Sequence, residues 1–156
     1  MLRNKINAKR RGFAIPVIFF GIAALLFAHV TSPQNAPNIE TFKARLTPVP
    51  IDVSMQAAVA GIGEATAVLA GKQVTISGTF EGLRSPATSA QIRRAPKGLR
   101  GPVIFDLTIS KAAKGAISGT FELTPEQLAD LRGGRWYVQL QSERAPDGNL
   151  WGWLLR

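Results

Sequence analysis

The chain has 156 residues, 46% of them hydrophobic and 19% charged, with a formal net charge of +9, a composition that fits a folded domain rather than a disordered or fibrous chain. It contains no cysteine and one histidine, His29, which excludes disulfides, thiolate metal sites and cysteine nucleophiles. The charge is uneven: Arg3, Lys5, Lys9, Arg10 and Arg11 precede the first acid, Glu40, and the remaining 14 Lys/Arg face 10 Asp/Glu, so more than half of the excess is a topology signal and not a nucleic-acid footprint.

Residues 1–11 form a basic segment, and residues 12–30 (GFAIPVIFFGIAALLFAHV) carry no formal charge with His29 neutral. As a helix, nineteen residues rise about 28 Å, close to the roughly 30 Å hydrocarbon core of a bilayer. Pro16 falls in the first turn or so, where the missing N–H is least felt. The basic flank keeps the N-terminus in the cytoplasm and sends the rest across, so the expected location is a bacterial inner membrane, crossed once, with the C-terminal domain in the periplasm. A cleaved signal peptide is the competing reading. Its apolar region usually runs to about 7–15 residues and ends in an A-x-A-like site, whereas the run here is longer and continues as Ala28-His29-Val30-Thr31-Ser32-Pro33. The segment is therefore read as a retained signal anchor.

Residues 31–40 form a Pro-rich tether, with Pro33 and Pro37, and residues 41–156 form the domain. Within it, period-2 alternation bounded by Gly, Pro and Asp-Gly signals predicts seven strands, over 41–46, 64–69, 73–80, 102–109, 115–123, 135–142 and 149–155. Thr124-Pro125-Glu126-Gln127 predicts a capping box with Pro at N1, opening a helix that runs to Arg132 and stops at Gly133-Gly134. Ile76-Ser77-Gly78-Thr79-Phe80-Glu81 recurs unchanged as Ile117 to Glu122, which implies two equivalent strands. The expected fold is all-β: an antiparallel, Greek-key-like sandwich or barrel with one short helix, preceded by a single transmembrane helix.

From about residue 42 onward the chain resembles the CHRD (chordin-type) domain. The resemblance is carried by Gly82-Leu83 with Ser85-Pro86-Ala87, by residues 90–107 (AQIRRAPKGLRGPVIFDL), by residues 115–120 (GAISGT) and by residues 128–134. Trp136-Tyr137-Val138 and residues 146–152 (PDGNLWG) complete it. It implies an all-β module without an agreed enzymatic activity. The departures are informative. Where the family typically reads A-H-I-H, V-H-T and G-E-I-R-G, this chain has Gln91 and Arg93, then Gln141, then Asn149 and Trp151. Gln and Arg do not replace imidazole as metal ligands or proton shuttles near neutral pH. The domain is therefore expected to hold no metal, no cofactor and no catalytic residue.

Two features remain as partner-binding candidates. Arg93, Arg94, Lys97 and Arg100 lie in a stretch without an acid between Glu81 and Asp106, a charge pattern suited to an acidic partner or anionic headgroups. Trp151 and Trp153 alternate with Leu150 and Leu154, so they are expected on the outward face beside Tyr137, Gln139 and Gln141, with the last two strands paired across a turn at residues 145–148. Exposed Trp and Tyr suit a protein or membrane interface; the competing reading is that a loop or the tether before the domain covers them. The expected function is a non-catalytic, membrane-anchored accessory or structural subunit, its partners being the bilayer and other subunits of a membrane complex such as a respiratory or photosynthetic one, and not nucleic acid. The alternative is a freestanding anchored periplasmic module for a small ligand or matrix component.

Overall fold

The computed structural model describes residues 38–50 and 52–156; the basic segment, the expected anchor over 12–30 and most of the tether lie outside them. Among the described residues no helix is long and apolar enough to cross a membrane. The elements are β1 (Ile39–Pro48), β2 (Ile62–Ala70), β3 (Gln73–Glu81), β4 (Ala87–Arg94), β5 (Val103–Ile109), β6 (Gly115–Glu122), α1 (Pro125–Arg132), β7 (Trp136–Ser142) and β8 (Ala145–Trp153).

The eight strands close into a barrel in the order β1-β2-β3-β6-β5-β4-β7-β8, with every neighbouring pair antiparallel. β3 lies against β6 while β4 sits two places beyond, a Greek-key crossing. Closure removes the exposed sheet edges that an open sandwich would keep. Alternation fills the interior: Leu46, Leu69, Ile76, Ile92, Leu140 and Leu150 are all fully buried, and burying each such side chain contributes about 1.5–3 kcal/mol.

The repeated hexapeptide has a specific place. Its copies lie in β3 and β6, which pair directly, and Ser77 faces its own counterpart Ser118. A local two-fold axis through that pair puts Ile76 opposite Gly119 and Ile117 opposite Gly78. Ile117 stands where the facing Gly78 leaves room, and the room at Gly119 is taken by Leu107 and Phe121. A Cβ on Gly78 would lie 2.4 Å from the Glu64 carbonyl oxygen and 3.0 Å from Ile117, and one on Gly119 would lie 2.8 Å from Leu107. The repeat is thus a self-complementary pair of strands.

The expected helix forms as read. The Thr124 side chain accepts from the Gln127 N–H, the Gln127 side chain accepts from the Thr124 N–H, and the helix ends at Gly133 and Gly134. Its Arg132 makes a bidentate contact with the buried carboxylate of Glu40, at 2.6 and 3.2 Å, and Arg156 binds the same carboxylate. Helix, first strand and chain end are fastened together there.

Two expectations change. β4 is an eighth strand that its residues show only weakly: beyond a bulge after Ala87, only Ala90 and Ile92 face inward before Arg93-Arg94. The last hairpin turns at Glu143 and Arg144, with Ser142 paired to Ala145, and not across residues 145–148. Pro146, Asp147 and Gly148 instead lie inside β8, at a register shift between Leu140 and Ser142. Such bulges are where a strand accommodates proline, and Gly148 has φ +137 there.

Candidate functional site

The outward residues of β4, β7 and β8 form rows across the barrel wall. Gln91, Gln139 and Trp151 make one row, Arg93, Tyr137 and Trp153 the next, and Ser89 pairs with Gln141. Ala90, Ile92, Val138, Leu140 and Leu150, from the same strands, belong to the core. Period-2 alternation fixes this partition, and on β5 it brings Asp106 opposite Gln91.

Three positions that the sequence comparison singled out converge on one atom. The side-chain oxygen of Gln91 (Oε1) accepts from Gln141 Nε2 at 3.2 Å and from Arg93 Nε and Nη2 at 3.2 and 3.0 Å. Gln91 Nε2 donates to Asp106 at 3.0 Å, Arg93 Nη1 donates to the Gly101 carbonyl at 3.1 Å, and Ser89 Oγ donates to Gln141 Oε1 at 2.6 Å. The chain has placed one acceptor and two donors where three side-chain tips meet. The network is formally neutral, since Arg93 and Asp106 are bound to the two ends of the same glutamine amide. Among the described residues no three His, Cys, Asp or Glu side chains are grouped to hold a metal ion.

Beside the network the aromatic residues are covered. Residues 95–102 leave the end of β4 and fold over the outer face of the sheet. Gly101 N–H donates to the Tyr137 hydroxyl at 3.0 Å, and Trp153 Nε1 donates to the Ala95 carbonyl at 3.2 Å. Tyr137 is 0% and Trp153 9% exposed, stacked with ring centroids 4.8 Å apart. Trp151 stands edge-on to both and is half-buried, also touching the small cluster of Val49, Val59 and Ala145.

Trp151, Trp153, Tyr137, Gln139 and Gln141 do lie on the outward face, but four of the five are covered there. Trp153, Tyr137, Gln139 and Gln141 are buried, because the 95–102 loop and the Asp147 bulge close over them. Gln139 is 2% exposed; its Nε2 donates to the Asp147 carbonyl at 3.1 Å, while its Oε1 has no partner. Of the aromatic candidates, Trp151 alone keeps a partly open ring among the described residues.

The basic candidates also separate. Arg93 belongs to the network, and Arg94 pairs with Asp130 at 3.0 Å. Arg100 donates to the Asp147 carbonyl at 2.9 Å, which ties the covering loop to the bulge, and Lys97 is exposed. Sequence reasoning left three buried or bonded polar residues of these strands out of its candidates. Ser89 sits on the strand that was not recognised. Asp106 entered the sequence reading only as the acid that closes the basic stretch. Asn149 is fully buried, accepting from the Ala60 N–H at 3.2 Å and donating to Ser142 Oγ at 2.8 Å. The polar phase of the predicted 102–109 strand could have flagged Asp106.

On the opposite wall an open groove of about 710 Å³ runs between Lys43 and Arg45 on one side and Thr79 and Glu81 on the other, floored by residues 62–66. Its walls carry both charges.

Residues 42–154 match the CHRD domain family. The chain belongs to that family. No curated protein sequence and no solved structure matched it in comparison.

Proposed function

We propose that this CHRD-family chain is a non-catalytic accessory or structural subunit, held in a bacterial inner membrane by residues 12–30. Its periplasmic barrel would dock on other subunits of a membrane complex, such as a respiratory or photosynthetic one. The observation that carries the reading is the convergence of Gln91, Arg93 and Gln141, whose polar tips satisfy one another. A buried or half-buried polar set of this kind is a rigid structural element. Metal binding or proton transfer would instead need open ligands or titratable groups near neutral pH. The barrel interior is filled by apolar side chains, which leaves recognition to the outer surface. There, Trp151 is a half-open aromatic framed by rigid neighbours, a type of residue favoured at the centre of interfaces.

The second reading, a freestanding anchored module for a small ligand or matrix component, draws on the open groove beside Lys43 and Glu81. The two part on one experiment. Membranes holding the full chain are washed with alkaline carbonate, solubilised in mild detergent and resolved by size, and co-migrating proteins are identified. The chain should resist the wash and travel with membrane proteins in fixed ratio, and Trp151→Ser should release it, an interface Trp being worth roughly 2 kcal/mol or more. Recovery as a lone anchored chain would favour the freestanding module. Recovery as a shortened chain in the wash would refute the anchor.

A further inference from the structure

The groove of about 710 Å³ is built by the outward residues of β1, β2 and β3. Arg45 faces Glu64 across β1 and β2, and Glu64 faces Thr79 across β2 and β3. One row along, Lys43 faces Thr66; one row the other way, Ile62 faces Glu81. Their strand neighbours Ala44, Leu46, Ala65 and Phe80 belong to the core, so alternation puts the charged set on the outside. Every residue lining the groove lies within a paired strand and none on a loop, which is the firmer support for a binding set. Gly63 tightens that frame: a Cβ there would lie 2.5 Å from the Thr79 carbonyl oxygen, so only glycine lets β2 and β3 lie this close.

The charges in this groove do not close on one another. Opposite charges placed directly across a ladder ordinarily attract and pair. Among the described residues every ion pair is made by Glu40 or Asp130. Arg45 and Glu64 therefore stand opposite each other unpaired, and Lys43 and Glu81 hold no counter-charge either. All four side chains are exposed, so both signs of charge remain open to a ligand.

The arrangement selects by charge and by length. Both cations stand on β1, and one acid stands on each of β2 and β3. A ligand with one sign of charge meets as much repulsion there as attraction. A ligand carrying both is attracted at each end, provided its charges are far enough apart. Neighbouring strands lie about 4.8 Å apart, so β1 and β3 are separated by roughly 10 Å. An α-amino acid carries its ammonium and carboxylate on one carbon and is too short to join β1 to Glu81, whereas three extended residues span about 10 Å. Arginine also holds a carboxylate in a bidentate fork, which suits a free C-terminus. On the middle strand Ile62, 55% exposed, offers an apolar contact for a central side chain.

We infer that the groove binds a short zwitterionic peptide, about three residues long, with its carboxylate on Lys43 and Arg45 and its ammonium on Glu64 and Glu81. The inference rests on the second reading, that of a module for a small ligand, and supplies the class of that ligand; it needs neither the anchor nor a partner subunit. Thr66 opposite Lys43 and Thr79 opposite Glu64 add a hydroxyl at either end. The volume fits as well, since sites for small molecules run to roughly 300–1,000 Å³.

Isothermal titration of the full chain in mild detergent with the peptide Gly-Leu-Gly tests this, beside the same peptide N-acetylated, the same peptide C-amidated, and free leucine. The uncapped peptide should bind one to one. Each capped form and leucine should bind at least about tenfold more weakly, the factor that a lost hydrogen bond to a charged group brings. Lys43→Gln with Arg45→Gln should abolish the penalty of amidation and keep that of acetylation, and Glu64→Gln with Glu81→Gln should do the reverse. All four residues are exposed, so both double variants should melt with the parent. No detectable heat with the uncapped peptide would overturn the inference, as would capped and uncapped forms that bind alike, or penalties that the double variants fail to move. A chain that binds no peptide but is recovered alone from detergent refutes this ligand class and leaves the freestanding module standing. A chain that binds the peptide while travelling in fixed ratio with membrane proteins refutes the freestanding state and leaves the groove its ligand.

Discussion

Trp151 and Trp153 are two residues apart on one strand face, yet they should respond to truncation very differently. Trp153 is almost fully buried, stacked on Tyr137, and bonded through its indole N–H to Ala95 at 3.2 Å. Trp153→Ala removes roughly 150 Å² of buried apolar surface, about 3–4 kcal/mol at 25 cal/mol per Å². The lost hydrogen bond adds about 1 kcal/mol, while a partly compact unfolded chain lowers the area term. A net loss of about 3 kcal/mol is expected, within the range for buried aromatic truncations. At about 4 °C per kcal/mol for a domain of this size, Tm should fall by roughly 12 °C. Trp151→Ala removes a half-open ring for which no hydrogen bond is found, so about 1 kcal/mol is expected. Thermal melts followed by near-ultraviolet circular dichroism on both variants decide the matter. A Trp153→Ala variant within 0.5 kcal/mol of the parent, or a larger loss at Trp151, would refute the idea that the 95–102 loop seals this face.

Two further predictions follow from other parts of the barrel. Gly78→Val should fail to fold or lose more than about 3 kcal/mol in urea melts, because its side chain would meet the Glu64 carbonyl oxygen, whereas the exposed Ser77→Ala beside it should stay within about 0.5 kcal/mol. The triple variant Gln91→His, Arg93→His and Gln141→His should acquire one zinc ion per chain in equilibrium dialysis, since three side-chain tips already meet there; the parent chain should hold none.

The elements that sequence reading recovered are those whose information is local. The capping box of Thr124 and Gln127 and the glycine stop lie within ten residues, and both formed as expected. Alternation identified seven strands for the same reason. β4 was missed because its inward face offers only Ala87, Ala90 and Ile92 while its outward face is wholly polar. It is held by partners on both sides, β5 and β7, more than forty residues apart in places. The hexapeptide repeat was visible as a repeat, but that its copies pair with each other through Ser77 and Ser118 is a matter of topology. Pro146-Asp147-Gly148 reads as a turn by composition, and became a bulge because Ser142 pairs with Ala145 and the surplus residues must leave the ladder.

The candidate site divides in the same way. Which face a residue occupies is a period-2 property, so Tyr137, Gln139, Gln141, Trp151 and Trp153 were placed correctly on the outside of the wall. Whether an outside face is exposed depends on what lies over it, and nothing near residue 153 announces that residues 95–102 will. The covering loop contains both Gly98 at φ +86 and Gly101, whose Cβ would clash with the Arg94 carbonyl, so its path is dictated by backbone closeness rather than by a hydrophobic pattern. Three of the five family departures, by contrast, could be read singly but acquire meaning only together. Gln91 and Arg93 are two residues apart on β4, and Gln141 comes from a strand some fifty residues later. Each substitution alone would leave a donor or acceptor without a match; with all three, one amide oxygen takes both donors. Such mutual satisfaction makes partial reversion unfavourable: a single histidine at 91 would take the acceptor from Arg93 Nε and Nη2 and leave only the Gly101 carbonyl on Nη1, and an unmet polar group costs about 1–3 kcal/mol where it is buried. The wall around Gln91 is therefore committed as a unit to a rigid polar seam, beside which Trp151 is the aromatic candidate whose ring stays partly open.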